Sequence, residues 1–421
     1  MSARPATALE TLYAWLDRVS PINFAVVLEG TAPVDLDAAE ARIAALGAPG
    51  CIGARRLAPA PGGGLLVVEG PGTCVPCLRI EGAGGWGALE RLTARRIDPA
   101  HEVPVRGLLQ RRDCGGWRAA LIFHHAFADG RHGLRLLHGV LTGAPETPGC
   151  RPLELDALPD AQVRAARRYL AETWGAAGPL SAVPPISPDG DESFALATAR
   201  IDLTERETGS LLRQVRARGL RLHSLLCALQ AQAFARVMGA PSVVGLISPV
   251  DLRRGVDTTL GAGLLVQRLH ITPEGDPFAA AKGLQRDFEM QHRLEMPRVL
   301  LGLLGPSSGR GFDGFRARSR MSLQGGTLSN VGRVEGIGTR ARFVACPQPG
   351  QPFFATAATG ADGLSLTLCT DRRRSDGGAL ARAMSDALRR VTVPPHAPPD
   401  APYGVRRHPA NRAVPCGVHV H

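Results

Sequence analysis

Lysine is almost missing from this chain of 421 residues: Lys282 stands alone among 49 basic side chains, and the rest are arginine. With 50 glycines, 34 prolines and abundant alanine, the imbalance has the look of GC-rich coding bias, so a net charge of +11 says little about nucleic acid. A nucleic-acid groove gathers its cations along one element and interleaves aromatics for stacking. Here the arginines are dispersed and aromatics are only 5%, so no nucleic-acid partner is expected. The excess charge still favours anionic partners, such as a phosphopantetheine-bearing molecule or an acidic carrier protein. No run approaches the roughly 18 consecutive apolar residues of a membrane helix. The opening MSARPATALETLYAWLDR carries Glu10 and Asp17 instead of a basic, then apolar leader. A soluble, cytoplasmic protein without a transmembrane segment is expected.

The nine cysteines, an odd number scattered over the chain, argue against a disulfide framework and for a reducing compartment. Cys74 and Cys77 form one CxxC, in GTCVPCLRI, with no second CxxC and no HxxxH to complete a tetrahedral site. The pair Cys416 and His419, with His421 nearby, lies in a Pro-rich end. No metal and no bound cofactor is expected.

What is present is an alternation of strand and helix patterns without a repeat of 20 to 50 residues, which points to an α/β or mixed α+β protein. The length exceeds what one core usually supports, so two lobes are expected. Pro and Gly cluster at 144–152 and 178–190, bracketing a helical AQVRAARRYLAETW. The division that follows is a first lobe with its crossover over 1–177, a linker over 178–192, a second lobe over 193–393 and a Pro-rich tail over 394–421, expected to be disordered. In the first lobe INFAVVLEG, LLVVEG, CLRIEG and WRAALIFHH read as strands, and Leu134, Leu137 and Leu141 mark one face of a helix. In the second, Thr204 and Glu207 have capping-box spacing, Ser224 is placed to cap the next helix, and one helix is expected over 277–296.

One stretch carries chemistry. In LIFHHAFADGRHG, residues 121–133, two histidines close an apolar run and an Asp-Gly pair follows. Successive strand side chains face opposite ways, so His124 and His125 cannot both look into one cavity while the strand lasts. A neutral imidazole at a strand end suits general-base work, since its ordinary pKa of about 6.5 lies near working pH. Asp129 can orient the loop by pairing with an arginine, and Gly130 lets the backbone pass close to a ligand or the imidazole. A structural His-His pair before a turn fits the same residues.

The order His-His-x-x-x-Asp-Gly resembles the HHxxxDG signature of the chloramphenicol acetyltransferase-like, CoA-dependent acyltransferase superfamily, which includes condensation domains and polyketide-associated acyltransferases. Three further segments resemble that superfamily in the same order: YAWLDRVSPINFAVVLEG at the start, ISPVDLRRG at 247–255 and LSNVGRV at 328–334. The resemblance implies two lobes of mixed sheet and helices in a V with a tunnel at their interface. It implies that His125 is the general base, that His124 is structural, and that Asp129 is an organiser paired with Arg253. Ser329 and Asn330 are implied as residues along the tunnel, although an ordinary strand-end turn explains them better.

The function implied is acyl transfer from an acyl-CoA or acyl-carrier-protein thioester to a hydroxyl or amine of a lipid or secondary metabolite. Direct attack in a ternary complex needs no acyl-enzyme, consistent with the lack of a GxSxG nucleophile elbow. A monomer is expected. The chain departs from the superfamily where APGCIGARRL lacks a His-Pro, and it has neither DFGWG nor an attached carrier or adenylation region, which suggests a freestanding enzyme. Amide formation on carrier-bound substrates, and a catalytically silent binding protein of the same fold, are the alternatives.

Overall fold

In the computed structural model of the protein, the described residues are 3–61, 63–113, 115–144, 152–154, 157–176, 195–238, 243–253, 258–304, 312, 326–336, 340–348, 351–372, 376–392 and 419–420. The linker at 178–192 lies outside them, and so does the tail from 394 apart from 419–420.

The first half of the chain forms β1 (Ala3–Pro5), α1 (Ala8–Val19), β2 (Asn23–Gly30), α2 (Leu36–Ala45), β3 (Arg55–Pro59), β4 (Leu65–Glu69), β5 (Cys77–Glu81), α3 (Gly85–Ala94), β6 (Val105–Arg111), β7 (Trp117–His124), α4 (Gly130–Thr142) and α5 (Asp160–Ala176). Strands β2, β7, β6 and β5 are neighbours in one sheet, while β1, β4 and β3 form a smaller one. Every residue of β2 and β7 is buried, because both faces of this sheet are covered. Phe24, Val26, Leu28, Leu121 and Phe123 enter a core shared with α1, α2 and α4. Ala25, Val27, Ala120 and Ile122 enter another, against Trp86 and Leu89 of α3. The period-2 pattern of the two strands thus sorts their side chains cleanly between two cores.

The second half forms β8 (Leu196–Asp202), α6 (Glu205–Ala217), α7 (Leu222–Met238), β9 (Val243–Asp251), β10 (Ala262–His270), α8 (Pro277–Arg293), α9 (Met296–Leu304), β11 (Thr327–Arg333), β12 (Arg340–Ala345), β13 (Phe353–Gly360), β14 (Gly363–Asp371), α10 (Gly377–Thr392) and β15 (His419–Val420). Its sheet runs β10-β9-β11-β13-β14-β8-β15. Leu211, Leu225, Leu229 and Phe234 of α6 and α7, Leu366 of β14 and Leu388 of α10 share its core. The architecture is the mixed α/β, two-lobed one expected. No helix among the described residues is long and apolar enough to cross a membrane.

Strand β12, grouped by its sequence position with 193–393, closes the edge of the first lobe's sheet instead. It pairs antiparallel with β2 from Arg340 opposite Glu29 to Ala345 opposite Phe24. A buried ionic chain accompanies it. Arg342 donates from Nε to Glu29 Oε2 at 2.9 Å and from Nη2 to Asp202 Oδ2 at 2.7 Å. Arg118 donates to Glu29 Oε1 from Nε and Nη2 at 2.8 and 2.6 Å. Burial would raise the Glu29 carboxyl, but Arg342 and Arg118 outweigh it and hold it down at about 2. Arg342 therefore joins strands of both lobes through paired charges.

Local expectations fared unevenly. The Thr204–Glu207 capping box is present, with Glu207 N–H donating to Thr204 Oγ1 at 3.2 Å and Thr204 N–H to Glu207 Oε2 at 2.8 Å. Ser224 is not a cap, because α7 begins two residues earlier at Leu222. The helix expected over 277–296 ends at Arg293, and Glu295, at φ 51°, turns the chain into α9. A non-glycine residue in the left-handed region breaks the α-helical hydrogen-bond run there.

Candidate active site

Strand β7 ends at His124, and the chain then folds tightly into α4. His124 N–H donates to Pro104 O at 2.9 Å, Phe127 N–H to His124 O at 3.1 Å, and Asp129 N–H to Thr259 O at 3.1 Å. Ala126, Phe127 and Ala128 are buried. The loop is thus pinned to its own lobe at one end and to the second lobe at the other.

The two histidines have different surroundings. His124 is fully buried, opposite Asn23 on the α3 side of the sheet. Its Nδ1 accepts from Ala126 N–H at 3.2 Å, which makes Nε2 the nitrogen that carries a proton, 3.7 Å from Asp17 Oδ1. His125, half-buried, continues the opposite face, that of Phe24 and Phe123. Its ring lies flat on Tyr13, with centroids 4.1 Å apart and planes 6° from parallel, and at 4.7 Å from Phe24. Its Nδ1 is buried and has no hydrogen-bond partner among the described residues. Burial pushes the imidazole down to about 4, with the Asp129 carboxylate and the backbone of His125 and Ala128 pulling the other way. At neutral pH His125 is an uncharged base.

Asp129 makes no hydrogen bond to His125 among those of the described residues; it organises. Its Oδ1 accepts from Arg131 N–H and His132 N–H at 3.1 Å each, capping α4. Its Oδ2 accepts from Arg253 Nη2 at 2.5 Å and from Gly261 N–H at 2.8 Å. Arg253 is held further by Thr258 Oγ1 at 2.8 Å and Asp251 Oδ1 at 3.1 Å. The structure therefore brings Asp129 and Arg253 together across the lobes, both side chains nearly inaccessible.

Gly130, expected to give clearance to a ligand or the imidazole, opens α4 against the Phe343 ring of β12, which a Cβ would meet at 3.2 Å. Its small size serves lobe packing. Ser329 and Asn330 lie on β11, where Asn330 Oδ1 accepts from Gly332 N–H at 3.0 Å across a bulge. That is a local turn, and the structure does not join these two residues to His125. Cys77, on β5, has its thiol pushed up to about 12 by burial. Among the described residues no three metal-ligating side chains come together.

Sequence reasoning missed Tyr13, Phe24 and Gly261. Tyr13 and Phe24 carry only the periodicity of core residues. Gly261 is invisible because its role arises from contact with Arg253, whose Cγ a Cβ would meet at 2.7 Å. Gly261→Ala is expected to displace that arginine and cost about 1–3 kcal/mol, read as a lowered denaturation midpoint; an unchanged midpoint would show that Arg253 has slack.

Residues 192–340 match the family described as phthiocerol/phthiodiolone dimycocerosyl transferase C-terminus. A stretch of 200 residues is 26% identical to the phthiocerol/phthiodiolone dimycocerosyl transferase of Mycobacterium leprae (strain TN), covering 44% of this chain and 46% of that protein. The chain thus spans about half the length of that curated relative. Among solved structures, polyketide synthase associated protein 5 from Mycobacterium tuberculosis superposes with a TM-score of 0.62 at 17% identity, over 92% of this chain and 98% of that one. The first condensation domain of the calcium-dependent antibiotic synthetase gives 0.63 at 15% identity, over 93% and 96%. At such identities the structures establish a shared fold.

Proposed function

We propose that this member of the chloramphenicol acetyltransferase-like superfamily moves an acyl group from a CoA or acyl-carrier-protein thioester to a hydroxyl of a lipid or secondary-metabolite acceptor, with His125 as general base. The observation that carries the reading is an imidazole kept uncharged at the end of β7, on a loop whose Asp129 is tied to the second lobe through Arg253. As the acceptor oxygen attacks the thioester carbonyl, its proton passes to His125. The C–O bond forms, the C–S bond breaks, and the proton goes on to sulfur to leave a free thiol. Both carboxylate oxygens of Asp129 are already engaged, so the proton has no second route through that residue. The name of the M. leprae relative, a dimycocerosyl transferase for phthiocerol or phthiodiolone, favours a lipid hydroxyl over an amine.

The test is thiol release from acyl-CoAs and acyl-carrier proteins of increasing chain length, with alcohols and amines offered in parallel and products identified by mass spectrometry. Acceptor-dependent release with an ester product is expected. An amide product would move the protein to condensation-type chemistry, and no turnover with any donor would leave a silent protein that keeps the fold.

A further inference from the structure

Of all the contacts His125 makes, the flattest comes from an element remote in sequence. Tyr13 lies in α1, and its ring covers one face of the imidazole at 4.1 Å and 6°, while Phe24 leans on the ring at 4.7 Å and 49°. A catalytic imidazole is commonly turned by a hydrogen bond at its second nitrogen. Here Nδ1 is buried with no side-chain partner among the described residues, and apart from the backbone of its own loop, at His125 and Ala128, the ring is oriented by packing. We infer that Tyr13 is a positioning residue whose ring fixes the plane of the His125 imidazole and closes one of its faces to water.

Helix α1 is anchored at both ends in a way that suits this task. At its start Thr7 and Glu10 form a capping box, and Arg4 donates to both Glu10 oxygens at 2.8 and 2.6 Å. At its end Asp17 Oδ1 accepts from Ile22 N–H at 3.2 Å, which ties the helix to the start of β2. Asp17 is one helical turn beyond Tyr13, and the same Oδ1 stands 3.7 Å from His124 Nε2. One rigid helix thus addresses both histidines of the motif, with a flat ring for one and a carboxylate for the other. The charged and titratable groups facing His125 are the Asp129 carboxylate and the His124 imidazole. Tyr13 is itself buried and faces Asp129 and Arg253.

The inference rests on His125 being the base, and the experiment separates the two claims. In the full-length protein, Tyr13→Leu removes the flat ring and Tyr13→Phe keeps it. Tyr13→Met refills much of the volume with a flexible chain, and carries the test should the leucine variant not fold. For Leu or Met, kcat is expected to fall by up to about 10²-fold, as a misaligned reacting group does, with KM little changed. The His125 ring, followed by NMR with labelled histidine and no substrate, should titrate above its value of about 4, and the acid limb of the pH–rate profile should move up with it. Tyr13→Phe should behave as wild type. An unmoved titration with wild-type kcat in the Leu or Met variant would overturn the role of Tyr13. Equal damage from Tyr13→Phe would overturn it too, by assigning the effect to the hydroxyl. A raised titration with an unmoved pH–rate profile would instead overturn the base assignment.

Discussion

His125→Ala is expected to lower kcat/KM for acyl transfer by about 10²- to 10⁴-fold, the usual worth of a positioned proton acceptor. Some turnover should survive, because holding donor and acceptor together contributes without any base. The loss should appear with every donor length, since a general base acts on the acceptor proton and not on the acyl chain. Acceptor-dependent thiol release at the wild-type rate in the variant would sink the assignment. The wild-type profile has a definite shape. Burial places the ring at about 4, so kcat/KM should be level from neutral pH to about 5 and fall only below that, well under the ordinary imidazole value of about 6.5. Stability moves in the same direction. Burial also holds His132 at about 3 and His223 at about 4. These rings bind protons more readily once unfolded, so the stability they contribute is complete above about 6.5 and drains as pH falls from there through 4. Circular dichroism across that window tells loss of the base from loss of the fold.

Asp129→Ala is expected to destabilise the protein by about 3–5 kcal/mol, because it strands a buried guanidinium along with three backbone N–H groups. The partners are Arg253 Nη2, Gly261 N–H, and the first-turn N–H groups of Arg131 and His132. Asp129→Asn divides the effect: the amide oxygen can still cap α4, a position where asparagine serves about as well as aspartate, but the charge opposite Arg253 is gone. It should therefore lose less than alanine. A cycle with Arg253→Met isolates the pair, whose coupling should fall within about 0.5–3 kcal/mol. An Asp129→Ala midpoint equivalent to less than about 0.5 kcal/mol of change, the range of a bland surface substitution, would show that the lobes are not joined here.

Much of the element order was legible because apolar periodicity is local, and the two lobes were expected from the length of the chain and from the resemblance. The HHAFADG segment was legible for a similar reason, since its residues are contiguous and its turn is short. Alternation along β7 assigned the histidines to opposite faces from sequence alone, and Phe24 and Phe123 continue the face of His125. Illegible were features whose meaning depends on distant partners. Strand β6 gives no clean strand signal because Arg106 and Gln110 interrupt its apolar run. In the fold both are buried and satisfied, Arg106 by the carbonyls of Leu92, Arg95 and Arg96, and Gln110 by Arg118 and Gly82 O. Helix α3 gives a weak signal because glycines at 82, 84, 85 and 87 crowd its start, although its Trp86 and Leu89 fill a core beneath β2 and β7. Tyr13 reads as one more apolar position of an amphipathic helix, and nothing in its neighbours tells a ring over the base from a ring in the core. Strand β12 is the clearest case, because the pairing of Phe343 with Val26 spans most of the chain and no local pattern encodes it.

That pairing has a bearing on how such a molecule can be inherited. A strand delivered late in synthesis completes a sheet begun near the start, so the first lobe stays unfinished, with the edge of β2 bare, until most of the chain exists. A bare strand edge is an invitation to pair with another copy. Recombination that exchanged one lobe while leaving β12 behind would hand its neighbour such an edge, together with a Glu29 stripped of Arg342. For exchange between relatives, the smallest workable unit is therefore the whole two-lobed body.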